Sequence, residues 1–296
     1  MALELNQNGS GGAPSLDLMK ALDRDELGVH FQPKVDLRSA RMIGVEALAR
    51  WVSPGRGVIP AQEFIGHLEA DPLRRLTERV VELSTRAAGD WWRSGLGLQV
   101  SVNLAGCPLS DPGWDLHAFV AKALKTSGLP GKALQFEVTE NIIQDSPERA
   151  MELLGQLSKL GATVSLDDFG TGYFSMRQLL SLPISEVKID RSIVRGLLDD
   201  EEDMTIARSI IHLAHQLGFQ VLAEGVETDQ AWRQLRGMGA ECAQGFLISK
   251  PLPSRDVPAF LASWNRRARE LSSAKPVKRR RIGARTRAST PAEATA

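Results

Sequence analysis

Cysteine is scarce in this chain. The 296 residues hold two, Cys107 and Cys242, far apart in sequence. That argues against a disulfide framework and fits a reducing compartment. Long apolar runs are missing as well: nothing approaches the ~18–20 apolar residues of a membrane span. The start, MALELNQNGSGGAPS, has no basic segment followed by an apolar one, so no signal peptide is expected. These absences together point to the cytoplasm. Histidine offers no ligand set, because His212 and His215 fall three apart on one predicted helix with no third ligand in the pattern. Net charge is zero, with 36 Lys+Arg against 36 Asp+Glu, but it is unevenly spread. Residues 266–296 carry ten Lys/Arg against two Asp/Glu, a charge of +8, which leaves −8 on the rest. An acidic body with a basic tail does not describe a nucleic-acid groove.

What is present is a regular alternation of elements, with 43% apolar residues, enough for a substantial core. Residues 1–14 read as a flexible lead. Ser15 is placed to cap a short helix. HFQPKVDL (30–37) and RMIGVEALARW (41–51) read as two strands in a tight antiparallel pair, and Pro33 puts the first at an edge or a bulge. A helical stripe follows through Leu76, Val80, Leu83, Ala87 and Trp91. Strands are then expected at 98–104, 133–140, 164–168, 186–190, 220–226 and 241–249, with a helix in nearly every interval. Gly128, Gly161, Gly218 and Gly239 stand at the predicted helix ends. Alternation of this kind means parallel strands joined by crossover helices, and eight units in about 250 residues match a closed (β/α) barrel. A doubly wound open sheet is the competing topology. A last helix is expected at about 257–269, and residues 270–296 have almost nothing to bury and read as disordered. The KRRR run within them suits an acidic partner or nucleic acid, or simply a solubilising tail.

The chemistry is carried by VSLDDFGTGY (164–173). An apolar alternation runs into Asp167 and Asp168, followed at once by Gly170 and Gly172. Two carboxylates that close repel unless a cation separates them or one takes a proton. Nearly every other strand breaks its apolar alternation near the C-terminal end. The interrupting residues are Glu46, Asn103, Glu137 with Glu140 beyond it, Lys188 and Asp190, Glu224 and Glu227, and Gln244. In a parallel barrel those ends converge on one mouth. Several carboxylates at matching depth need compensating positive charge. An all-oxygen set prefers Mg²⁺ or Mn²⁺, and five carboxylates with an amide suit two ions sharing one bridging carboxylate. Two such ions suit in-line phosphoryl displacement, with Lys188 as a fixed positive charge beside the attacking water. The glycine turn lacks the spacing of a P-loop. Trp51, Trp91 and Trp92 read as packing residues, and the two cysteines as small apolar fillers.

The motifs FQPKVDL, VEALARW with Glu46-Ala47-Leu48, GVIPAQEFI, VNL, FEVTE, LDDFGTGY, VKIDRSIV, LAEGVET and QGFLISKPLP stand in this order. Together they resemble the EAL domains over roughly residues 16–265. That resemblance implies a modified TIM barrel with an antiparallel first strand, and a phosphodiesterase that opens cyclic di-GMP to linear pGpG. It implies a first metal ion on Glu46, Asn103, Glu137 and Asp167. A second would be shared by Asp167 and held by Asp168, with Glu224 nearby. It implies that Lys188 meets the catalytic water, that Gln244 closes the far side, and that Arg50 meets a substrate phosphate. Leu48, Gln32, Asp190 and Glu227 fall among the implied substrate contacts. Glu140 is implied to anchor the loop Phe169-Gly170-Thr171-Gly172, which couples the metal site to a homodimer interface. By the same analogy Ca²⁺ is expected to inhibit. Ala105 and Phe174 stand where serines are usual, and 69–76 lacks the usual glycine. The rival readings are a non-catalytic cyclic di-GMP receptor and a regulator that reaches nucleic acid through its basic tail.

Overall fold

The computed structural model describes residues 13–66, 68–104, 114–169 and 176–273. Among the described residues, ten strands form one sheet: β1 (Leu27–Asp36), β2 (Met42–Ser53), β3 (Gly57–Pro60), β4 (Gln99–Asn103), β5 (Leu134–Thr139), β6 (Thr163–Phe169), β7 (Glu186–Ile189), β8 (Gln220–Ala223), β9 (Cys242–Gln244) and β10 (Leu252–Pro253). Eight of them close into a barrel in the order β1-β2-β4-β5-β6-β7-β8-β9, with β9 returning to β1. β1 is antiparallel to both neighbours, and every other pairing around the ring is parallel. This is the expected (β/α) barrel with a reversed first strand. β3 extends β2 as a hairpin and β10 adds two residues beside β1. Pro33 is not at an edge. The β1–β2 register slips between Lys34 and Val35, so the proline adjoins a bulge.

Helices surround the barrel: α1 (Ala13–Asp23), α2 (Ala70–Arg93), α3 (Leu116–Ser127), α4 (Glu140–Asp145), α5 (Pro147–Lys159), α6 (Met176–Ser181), α7 (Arg191–Gly196), α8 (Glu201–Gln216), α9 (Asp229–Met238) and α10 (Val257–Ser273). Local signals explain several of their ends. Asp115 caps α3 by accepting from Ala118 N at 2.9 Å, and Gly128 ends it in the left-handed region. Pro147 takes the tolerated first turn of α5. Ser15 lies inside α1 rather than capping it. The buried face of α2 is centred on Val81, Ser84, Thr85 and Ala88, with Leu76, Val80 and Trp91 also buried, while Leu83 and Ala87 flank it half-buried. The Thr85 hydroxyl is satisfied by donating to Val81 O at 2.8 Å. Trp91 meets Phe31 of β1 edge-on, with ring centroids 4.9 Å apart, and this fixes the helix to the barrel.

Each strand alternates between two environments. Val100, Val102, Leu134, Phe136, Val138, Val164, Leu166, Val187 and Ile189 are fully buried in the apolar core that the helices share. Burying each such side chain contributes about 1.5–3 kcal/mol. The intervening residues are polar, and many of them are buried too. β9 is shorter than the expected 241–249. Gly245 passes so close to Val226 that an added Cβ would lie 2.2 Å from its carbonyl oxygen, and the chain turns away there. The expected N-terminal lead and basic tail lie mostly outside the described residues, as do Ala105, Cys107, Gly170, Thr171, Gly172 and Phe174. α10 runs to Ser273, past the expected end at residue 269. No helix among the described residues is long and apolar enough to cross a membrane.

Candidate functional site

The polar residues inside the barrel form two layers, because residues i and i+2 on a strand share a face. The upper layer, toward the C-terminal strand ends, holds Gln32, Glu46, Asn103, Glu137, Asp167, Lys188 and Gln244. Two positions further in lie Lys34, Ser101, Gln135, Ser165, Glu186 and Cys242. Contacts between strands that are not neighbours show that both layers face the interior, as where Lys34 of β1 reaches Gln135 of β5 in the lower one. Gln244 of β9 donates to Glu46 of β2 across β1, and Lys188 of β7 reaches Glu137 of β5 across β6.

In the upper layer, Asn103 Nδ2 donates to Glu46 Oε1 at 2.8 Å. Gln244 Nε2 also donates to Gln32 Oε1 at 3.1 Å, and Gln32 Nε2 donates to Ser249 O at 3.2 Å. Lys188 is the hub of the opposite side. Its Nζ lies 2.7 Å from Glu137 Oε2, 2.6 Å from Glu224 Oε1 and 3.1 Å from Asp167 Oδ1. Lys188 is 1% exposed and Glu137 is fully buried, whereas Asp167 and Glu224 open partly to the mouth. Burial opposes the charge on Lys188, but Asp167, Glu137, Glu224 and Glu46 push its pKa well above the ordinary value. Burial likewise opposes the charge on Glu137, yet the two ammonium groups of Lys188 and Lys34 hold it down to about 2. Burial drives Glu46 and Glu224 up, helped by the neighbouring carboxylates, and Glu224 reaches about 8 despite Lys188.

Asp167 and Asp168 are brought together by a break in the strand. The β6–β7 register shifts between Leu166 and Phe169, and Asp168 has φ 55°, a conformation rare for a non-glycine residue. The bulge re-aims the second carboxylate. Desolvation, with Asp167 and Asp190 close by, pushes Asp168 up to about 6.

Other predicted residues take plainer places. Arg50 lies four residues beyond Glu46 on β2, half-buried, with Nη1 donating to Ala49 O at 2.8 Å. Leu48 is half-buried opposite His30. Asp190 caps α7 by accepting from Ser192 N at 2.8 Å. Glu227 forms an exposed pair with Arg195 at 3.2 Å. Glu140 is buried at the first turn of α4, and Phe169 is buried opposite Ile189. The lower layer escaped the sequence reading, although each member lies two residues from one that was found. Period-two extension from Gln32, Asn103, Glu137, Asp167 and Lys188 points directly to Lys34, Ser101, Gln135, Ser165 and Glu186.

The donor set fits a hard divalent cation. Its ligating atoms are carboxylate and amide oxygens, and Glu46, Glu137, Asp167, Asp168 and Glu224 outnumber the two buried ammonium groups. Gln244 Oε1 is buried without a hydrogen-bond partner. Among the described residues, no three His, Cys, Asp or Glu side chains are arranged as a metal site. The ammonium of Lys188 lies between the carboxylates, so an ion placed there would take over contacts that the lysine makes.

Fold and site define a (β/α)-barrel protein whose mouth is acidic around one buried lysine. The chain belongs to the EAL domain family, whose model matches residues 15–251. It is 36% identical over 239 residues to the cyclic di-GMP phosphodiesterase PdeR of Escherichia coli K12, covering 80% of this chain and 36% of that protein. It is 37% identical over 248 residues to the bifunctional diguanylate cyclase/cyclic di-GMP phosphodiesterase MucR of Pseudomonas aeruginosa, covering 83% and 36%. The chain thus spans 36% of the length of these two relatives. Among solved structures, the PaMucR phosphodiesterase in complex with c-di-GMP superposes with a TM-score of 0.75 at 35% identity, covering 82% of this chain and 99% of that one.

Proposed function

We propose that this chain hydrolyses cyclic di-GMP to linear pGpG, using divalent cations, Mg²⁺ or Mn²⁺, two per site. The observation that carries the reading is Lys188, a buried ammonium among Glu137, Asp167 and Glu224 at the mouth of a barrel whose relatives are named as cyclic di-GMP phosphodiesterases. Glu46, Asn103, Glu137 and Asp167 would hold one ion, and Asp167 with Asp168 and Glu224 the other. Bound there, the ions supply Lewis-acid polarisation of a phosphoryl oxygen and lower the pKa of a water.

The protein's own part is to bind, orient and balance charge. Arg50 meets a substrate phosphate. Lys188, held protonated, orients the attacking water and offsets the negative charge that grows on the phosphoryl oxygens. The water's oxygen bonds to phosphorus as one of its protons passes to solvent at the mouth, the bond from phosphorus to the 3′-oxygen breaks, and that oxygen takes up a proton from solvent as it leaves. Gln244 and Asn103 keep Glu46 in place. Ca²⁺ is expected to inhibit, because its longer bonds and looser shell suit the site poorly. A homodimer and a cytoplasmic location belong to the same reading.

Purified protein incubated with cyclic di-GMP and Mn²⁺, with and without chelator, tests it by chromatography of the products. Chelator-sensitive pGpG is the expected result. Retention of intact cyclic di-GMP on the protein with no product would favour the receptor reading.

A further inference from the structure

Lys34 is the most enclosed charge that the proposed chemistry does not use. It is 2% exposed and projects from β1 across the barrel. Its Nζ lies 2.6 Å from Glu137 Oε1, 2.6 Å from Ser101 Oγ and 3.2 Å from Gln135 Oε1, with Glu186 at 4.0 Å. Ser101 Oγ in turn donates to Gln135 Oε1 at 2.6 Å. The two oxygens of Glu137 are therefore divided. Lys34 takes Oε1 from below and Lys188 takes Oε2 from the side of the mouth. Beyond Glu137 the two lysines differ in their partners: Lys188 also contacts Asp167 and Glu224, while Lys34 contacts Ser101, Gln135 and Glu186 of the lower layer.

We propose that Lys34 is a positioning residue that makes Glu137 a one-oxygen ligand. By retaining Oε1, it leaves only Oε2 to face the mouth when Lys188 turns to its other partners. The inference rests on the metal-dependent reading above. Its consequence is selectivity. Mg²⁺ demands near-octahedral geometry at short bonds, whereas Ca²⁺ accepts bidentate carboxylates in a larger shell. Freeing Oε1 lets Glu137 chelate, which favours Ca²⁺ over Mn²⁺ and Mg²⁺.

The test is Lys34→Met, with affinities for Mn²⁺ and Ca²⁺ measured by calorimetry on nucleotide-free protein whose fold is checked by circular dichroism. Loss of a partner behind a ligand typically costs about 10–100-fold in metal affinity. Mn²⁺ binding should weaken within that range and Ca²⁺ binding much less, so that the Ca²⁺/Mn²⁺ preference rises about tenfold. A purely structural lysine would weaken both ions alike, and an unchanged preference in folded variant overturns the proposal. Ser101→Ala, which keeps the ammonium but removes an anchor, should shift the preference in the same direction by a smaller factor. It decides the matter if Lys34→Met does not fold, and no shift there also overturns the proposal. Wild-type protein that binds no Mn²⁺ would overturn the metal reading itself, and this proposal with it.

Discussion

Nζ of Lys188 lies 2.7 Å from Oε2 of Glu137, a carboxylate with no solvent exposure. This pair is the electrostatic keystone of the barrel mouth. Removing one member of a buried pair strands the other, at a cost of about 3–5 kcal/mol. Lys188→Met should therefore destabilise the metal-free protein toward the lower end of that range, since Lys34 still faces Glu137. Urea unfolding measures it. Turnover should be lost as well. Mn²⁺ should raise the melting temperature of this variant more than that of the wild type, because the dication replaces the missing charge. An equal or smaller rise would show that the lysine and the ion do not share a place.

Glu46 tests the ligand set without breaking the fold. Asn103 donates to one of its oxygens and Gln244 to the other. In Glu46→Gln the side-chain oxygen still accepts from Asn103, and Gln244 can turn its unpartnered Oε1 toward the new amide. A buried charge becomes neutral, so stability should change by less than about 1 kcal/mol. Losing about 3 kcal/mol of transition-state stabilisation corresponds to roughly a hundredfold fall in rate. Measured kcat should drop by that much or more while cyclic di-GMP still binds. Near-normal kcat would remove Glu46 from the ligand set.

Much of this was legible in the sequence, and the reasons are specific. A charge that interrupts a strand at its C-terminal end, such as Glu137 in LQFEVT, has no bland role in a parallel barrel. The lower layer is legible only through its period-two spacing from the upper one, because Ser101, Gln135 and Ser165 on the adjacent strands β4, β5 and β6 otherwise look like residues facing water. They face the barrel interior instead, so both faces of these strands are buried. β3, β10, α4 and α7 are too short for periodicity to reveal. Asp190 falls among the substrate contacts that the EAL resemblance implies, in the run Asp190-Arg191-Ser192. The same Asp-x-Ser spacing also signals the helix cap that the structure contains.

Gly44 reports on barrel closure. It stands opposite Gln99 across the first parallel pairing, and a Cβ there would lie 2.7 Å from Gln99 O. The neighbour is backbone, not a side chain that can swing aside. Gly44→Ala should destabilise by about 1–3 kcal/mol through overpacking. Chemical denaturation measures this, and a neutral result would mean that β2 and β4 separate easily.

Cys242 gives a prediction in pH. It is buried in the lower layer, and desolvation, reinforced by Glu186, raises its thiol well above the ordinary 9.0. In the unfolded chain the thiol ionises above about pH 9, while in the native barrel it keeps its proton. The native state therefore binds more protons in that range, and stability falls as pH rises. The contribution is fully present below pH 9 and declines by about 1.4 kcal/mol per pH unit above it. Urea unfolding of wild type and Cys242→Ala at pH 8 and pH 10 isolates it, since other groups cancel in the difference. The wild type should lose more stability between the two values than the variant. In a Cys107→Ser background, Cys242 should also resist thiol reagents at pH 8 until the protein unfolds. Rapid labelling of the native protein would show that the lower layer opens to solvent, and the enclosed charge on Lys34 would then lose its physical basis.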